Sequence, residues 1–309
     1  IVTIVAEIPR YILSQVNTHK MLVKNTQSSR AVPTKKLLDK TILPDWLPQQ
    51  IGFNSRGMSP KIFMTGKQIE WFQLRWDSLH SLIEGEVKHI QKESKEKWGK
   101  IVEKGIINRP LENFKMTRIV ISGLLDMKGW GNFIHLRDHN DAQSDITILA
   151  QLISELISSN EPRVNDLHLP MATYDGDIDD SEHFKHLCKE SICNLAATSY
   201  RTESLSDSAM DRIIKKLVEN PPRHWSPFEH PAINKEILKS YFAINGLHQK
   251  AIRHSFQWVR LQAHYYGSDW IPLRKLYSND VLTNCINSNT HEGKLLNYDS
   301  LFQFIERGV

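Results

Sequence analysis

Two periodicities alternate along the chain. Residues 1–8, IVTIVAEI, are β-branched and apolar without a helical repeat, and read as a strand. Pro9 then suits a first helical turn, and Ile12, Leu13 and Val16 fit one helix face running to about His19. Residues 25–60 are polar and rich in Ser, Pro and Gly, and read as a long loop region. From about Lys67, Ile69, Phe72, Trp76, Leu79, Ile83 and Ile90 recur at spacings of three, four or their sums, which predicts a long helix. Its charged end, HIQKESKEKWGK, reads as a solvated face. A second strand is expected over 116–122, MTRIVIS, and a helix carrying Leu149, Leu152, Ile153 and Leu156 over about 142–158. A loop rich in Asn, Pro and Asp fills 160–182. Helices are expected around 183–196 and 207–219, the second capped by Ser206 and stopped by Pro221-Pro222. Strands and helices without regular alternation indicate an α+β fold.

Composition narrows the class. With 309 residues, 40% hydrophobic and 24% charged, the chain is neither disordered, nor collagen-like, nor a coiled-coil rod. No apolar run approaches the roughly 20 residues that span a bilayer, so no membrane partner is expected. Cys188, Cys193 and Cys285 cannot build a disulfide framework, so a reducing cytoplasm is expected. Lys plus Arg is 39 against 35 for Asp plus Glu, too mild a surplus for a stable nucleic-acid partner, yet room enough for basic pockets that hold small anions. Neither G-x-G-x-x-G, nor a P-loop, nor G-x-S-x-G occurs, so a nucleotide would be held by side chains and helix ends. Asp175, Asp177 and Asp179 have calcium-loop spacing, but Asp180 and His186 stand where the turn Gly and closing Glu belong. His183, His186, Cys188 and Cys193 match no common zinc-ligand spacing and read as structural or surface residues; no metal site is expected.

Three segments concentrate polar groups beside apolar helical positions. The first is Gln15-Val16-Asn17-Thr18-His19-Lys20, running on to Asn25, Ser28, Ser29 and Arg30. So many donors are poor core material and good material for binding phosphates and heterocycles, although a capped helix end with a polar loop uses the same residue types. The second is WGNFIHLR, Trp130 to Arg137, followed by Asp141, Ala142 and Gln143. Asn132 and Arg137 are offset around a helix and suited to different parts of one extended ligand. The third is HWSPFEH, His224 to His230, whose two histidines, acid and hydroxyl suit a cofactor better than zinc, which prefers H-x-x-x-H with a third ligand.

Together these segments resemble the flavin-dependent thymidylate synthases, or thymidylate synthase complementing proteins. Thr18-His19-Lys20, Asn25, Ser28 and Arg30 fall in register on that family's R-H-R-x-x-S-x-N-E-x-S-x-R. Asn132 to Arg137 with Ala142-Gln143 is similar to its N-F-F-x-L-R followed by A-Q, and His224 to His230 to its H-x-[ST]-P-F-E-H. Residues 196–200, AATSY, look like its A-R-V-S-Y, and Asn108-Arg109-Pro110-Leu111-Glu112 resembles the N-R-x-L-E of long members. Any one of these is weak; several in one chain are specific. The histidine-rich segment follows the others, as in the long permuted branch common in bacteriophages. The resemblance covers about 1–35, 105–158 and 190–232. It implies one domain over 1–309, with a mixed or antiparallel sheet packed with long helices, an insertion at 36–104 and a C-terminal extension from about 235. Thr18, Lys20, Val23, Thr26, Ala31, Asp126 and Lys128 depart from the family's usual residues, and Lys20 keeps a charge without the bidentate fork.

The resemblance implies FAD-dependent C5 methylation of dUMP to dTMP with methylenetetrahydrofolate and NADPH. It makes Arg137 the catalytic residue, at the pyrimidine carbonyl edge. Arg30 and Arg109 would clamp the nucleotide phosphate, and Gln15, Ser28 and Ser29 would also bind substrate. Thr18, His19, Lys20, Asn25, Lys128, Asn132, His224, Ser226 and Glu229 would line the flavin and folate side. Ser28 is read as a binding group, since no histidine-acid relay stands beside it in sequence. A homotetramer with active sites shared between subunits follows by the same analogy, in the host cytoplasm if the chain is phage-encoded. The departures motivate an alternative, C5 hydroxymethylation of dUMP or modification of dCMP for phage DNA. A non-catalytic nucleotide-binding paralogue is the second alternative.

Overall fold

The computed structural model describes residues 1–56, 60–161, 166–173, 181–199, 205–219, 224, 226–236, 266 and 269–274. The two β-branched runs form its central pair. Strand β1 (Val2–Pro9) lies antiparallel to β3 (Met116–Gly123) along its whole length, from Val2 opposite Gly123 to Pro9 opposite Met116. A short strand β2 (Val23–Thr26) flanks β3 on the other side, giving the order β1-β3-β2. Alternation along the strands sorts the two faces. Ile4, Ile8, Ile119 and Ile121 point to one side and meet Val16 of α1 (Leu13–Asn17), Trp130 and Phe133 of α5 (Trp130–Arg137), and Ile146 and Ile153 of α6 (Ser144–Ser158). Each fully buried aliphatic side chain is worth about 2 kcal/mol, so this layer fixes α5 firmly on the sheet.

The opposite face carries Val120 and Ser122. It is covered by α7 (Ser181–Ala196) with its following turn at 197–199 and by a second antiparallel sheet, β4 (Leu167–His168), β5 (Ala232–Asn234) and β6 (Trp270–Pro272). A polar line joins the two sheets: His168 Nε2 lies 2.8 Å from the Thr3 hydroxyl, which lies 2.5 Å from the Ser122 hydroxyl, itself 2.7 Å from His230 Nδ1. Helix α8 (Asp207–Ile214) begins as expected at Ser206, whose hydroxyl accepts from Ala209 N–H.

Between β2 and β3 the chain forms α2 (Thr34–Leu37), the 32-residue α3 (Lys67–Trp98) and α4 (Lys104–Ile107). Gly99 ends α3 in the left-handed conformation, φ 66°, as a helix C-terminus favours. Val87 of α3 packs with Leu43 and Leu111, and Trp76 with Trp46 and Phe114. Lys115, just before β3 and fully buried, places its ammonium on Asp45 and 3.4 Å from Glu84 of α3, with His80 beside both acids. Asp45, His80 and Glu84 are grouped closely enough to hold a metal ion, but the Lys115 ammonium already supplies the cation there. Removing one member of such a buried pairing costs about 3–5 kcal/mol, so the cluster ties α3 to the sheet.

Several expectations are corrected. Leu79 and Ile90, expected on the inner face of α3, are exposed. The loop region 25–60 contains α2, and the end of β2 runs into it. Strand β4 lies inside the expected loop 160–182, and the helix expected over 207–219 is α-helical only to Ile214, then continues as a π turn. The charged end of α3 is solvated, with exposed pairs such as Lys97–Glu93 at 2.5 Å. Cys188 and Cys193 are buried thiols, and burial pushes that of Cys193 up to about 12; they are core residues, as the plainer reading had it. Asp175, Asp177, Asp179, Tyr200, Pro221, Pro222, Trp225 and Cys285 lie outside the described residues. No helix among the described residues is long and apolar enough to cross a membrane.

Candidate functional site

The first polar segment wraps the end of α1. The Thr18 hydroxyl folds back onto the Gln15 carbonyl at 2.7 Å, and His19 and Leu22 continue the turn through backbone bonds to Val16 and His19. This turn buries the His19 ring edge-on against Phe133 of α5, centroids 4.8 Å apart. One turn further along α5, Arg137 donates through Nε to His19 Nε2 at 2.8 Å and through Nη2 to the Thr18 hydroxyl at 3.0 Å. A guanidinium only donates, so His19 Nε2 is an acceptor and the neutral ring carries its proton on Nδ1. Burial, then the charges of Arg137 and Lys24, pull His19 down to about 4. Arg137 Nη1 has no hydrogen bond among the described residues.

Lys24 completes the cluster and was absent from the sequence reading. It sits on β2 opposite Ile121, which turns it toward the face that holds α5, and its ammonium donates to the His19 carbonyl. Burial, then the charge of Lys20, lowers Lys24 to about 8. Arg137 and Lys24 thus flank a neutral imidazole, with Lys20 near Lys24, and among the described residues no carboxylate pairs with any of the three. Beside them Gln15 donates to Gln143 at 2.7 Å, Gln143 donates to the Tyr11 hydroxyl, and that hydroxyl donates to Asp145. Burial and Asp145 raise Tyr11, which stays a neutral donor. The sequence holds no signal for Lys24, since Val23–Thr26 becomes a strand only by pairing with β3, and none for Tyr11 and Asp145, because their meeting depends on how α6 packs on the sheet.

A second patch follows at Ser28–Val32. Buried Asn108 donates to the carbonyls of Ser29 and Val32, at 2.8 and 3.1 Å, and shapes the turn. The Ser29 hydroxyl donates to Glu112, which also takes Arg109 at 3.2 Å and Arg10 at 3.3 Å. Arg109, expected to clamp a ligand, is therefore already paired, while Arg30 is exposed and makes no ion pair among the described residues. Asn25 donates to the Leu195 carbonyl at 2.5 Å and Ser28 N–H to the Ser199 hydroxyl at 2.9 Å, so the 195–199 segment lies against this strand and turn. Among the described residues no histidine or acid bonds the Ser28 hydroxyl.

The third segment sits elsewhere. His230 bonds Ser122 on the sheet face away from α5, Glu229 pairs with Arg274, and His224 and Ser226 are exposed. Within this chain, then, the first two segments converge and the third lies across the sheet from Arg137. Asn132 is half-buried on α5, and exposed Lys128 lies in the preceding turn, its N–H on Asp126 at 3.0 Å. The converged cluster offers unpaired cations, amides and an oriented neutral imidazole. That set suits an anionic, hydrogen-bonding ligand. No family model matches the chain, and no curated protein matches it.

Proposed function

We propose that this chain is an FAD-dependent enzyme that methylates C5 of dUMP, in the manner of the flavin-dependent thymidylate synthases, with methylenetetrahydrofolate as carbon donor and NADPH as reductant. The observation that carries this reading is the bonding of Arg137 to Thr18 and His19. Two of the three segments that resemble the family's signatures are far apart in the chain, yet they share one hydrogen-bonded cluster. The donor set fits phosphates and a heterocycle in kind: cations with no acid partner among the described residues, amides, and a histidine held neutral. A bound flavin would supply the redox step, passing a hydride from NADPH toward the substrate.

The chain's own residues bind, orient and stabilise. Arg137, fixed by two neighbours, keeps Nη1 for the pyrimidine carbonyl edge, where it stabilises negative charge developing as C5 reacts; a preorganised donor of this kind is worth about 3 kcal/mol. Arg30, Ser28 and Ser29 hold the nucleotide phosphate, with Arg109 shared between it and Glu112. Gln15, steadied by Gln143, offers its amide to the nucleotide. Thr18, His19, Lys20, Lys128 and Asn132 line the flavin side, and Asn25 holds the 195–199 segment in place. His224, Ser226 and Glu229, across the sheet, serve the site of a neighbouring subunit in a homotetramer. Arg137→Ala should lower turnover at least about 100-fold, the equivalent of roughly 3 kcal/mol, with flavin content unchanged. Near-normal product formation by that variant would overturn the role of Arg137. Wild-type protein that neither carries nor takes up FAD would be a non-catalytic paralogue instead.

A further inference from the structure

Helix α3 has two apolar faces, and the described core packs on one of them. Opposite the buried side, Trp71, Leu74 and Leu82 are 56%, 69% and 68% exposed. With Ser78 and Gly85 they form a single stripe, in steps of three, four, four and three residues, the spacing of neighbours along one helix face. The stripe reads the same in both directions from Ser78. Gly85 has no explanation among the described residues. A glycine inside a helix costs about 1 kcal/mol relative to alanine, yet a Cβ there would meet nothing within 4 Å.

We propose that this face is the contact with a second copy of the chain, two α3 helices packing antiparallel about a two-fold axis at Ser78. A two-fold contact is isologous, so residues equally far from the axis on opposite sides face one another. Trp71 then lies over the partner's Gly85, where a missing side chain lets the indole rest on the backbone. Leu74 packs beside the partner's Leu82, and Ser78 of each copy, small enough for close approach, meets at the axis. On the flank, exposed Glu70 comes within a helical turn of the partner's Lys88, twice by symmetry. The contact from Trp71 to Gly85 runs about 21 Å along each helix and is anchored by tryptophan, a residue type enriched at interface hot spots. This inference does not rest on the proposed activity.

Sedimentation of the full chain over a range of concentrations tests it. The wild type should contain an even number of subunits, and Leu82→Glu should halve the mass while leaving far-UV circular dichroism and the thermal midpoint unchanged, since Leu82 lies outside the core. Glu70→Lys and Lys88→Glu should each weaken association, by up to about tenfold, and together restore it. A wild type that is monomeric throughout would overturn the proposal, as would an oligomer whose mass Leu82→Glu leaves intact. So would a monomer destabilised by Leu82→Glu, because the chain's own C-terminal residues would then be what covers this face.

Discussion

His19, His168 and His230 are held neutral by burial, at about 4, 3 and 3. In the unfolded chain each returns to about 6.5. The unfolded state therefore takes up protons first as pH falls, and stability rises with pH wherever it binds more protons than the native state. The contribution of these residues is complete above about pH 6.5 and is lost as pH falls toward their folded values. At about 1.4 kcal/mol per unit for each group, the loss should already reach several kcal/mol by about pH 4.5, above most carboxylate titration. Urea midpoints measured between pH 6.5 and 4.5 should fall steadily; a flat profile would mean that these rings are hydrated or charged in the native protein. The same residues mark a boundary of what the sequence tells. His19 stands out by its polar company, whereas His168 reads as loop, because its partner Thr3 lies 165 residues away along the chain.

At the level of elements, the position of Arg137 depends on how α5 begins. The turn before it closes through Trp130 N–H on the Leu124 carbonyl at 2.8 Å and Gly131 N–H on the Asp126 carbonyl at 3.0 Å. A Cβ on Gly129 would stand 2.3 Å from the Leu124 oxygen, a backbone atom with no rotamer to yield. Gly129→Ala should therefore cost about 2 kcal/mol, within the range of overpacking, and lower the urea midpoint accordingly; a change under about 0.5 kcal/mol, typical of surface sites, would show that the turn relaxes freely. Strands β1 and β3 and helices α3 and α6 were legible because each is long enough for its period to show. Strand β2 was not: Val-Lys-Asn-Thr becomes a strand only by pairing with β3. The exposure of Leu79 and Ile90 on α3 has a geometric cause. Leu79 and Ile90 each follow a half-buried residue, Phe72 and Ile83, by seven positions, and seven residues fall about 20° short of two full turns. Each step rotates the side chain toward water.

Across the whole molecule, the central sheet separates two kinds of polar cluster. On the α5 face, cations that have no acid partner among the described residues gather around His19; on the other, Thr3, Ser122, His168 and His230 are neutral and bonded to one another. The resemblance groups all three polar segments, and among the described residues Arg137 and His19 bring the first two together. It could not place the third on the far face, because that depends on the alternation of β3, where Ser122 points away from Ile121. The surplus of cations at one neutral imidazole is what the proposed chemistry uses. The most direct measurement is the mass of the nucleotide recovered after incubating the purified protein with dUMP, FAD, NADPH and methylenetetrahydrofolate. A product heavier than dUMP by one methylene unit is predicted. Unchanged dUMP from folded, flavin-loaded protein would contradict the assignment, and a product carrying one further oxygen would contradict methylation in favour of hydroxymethylation.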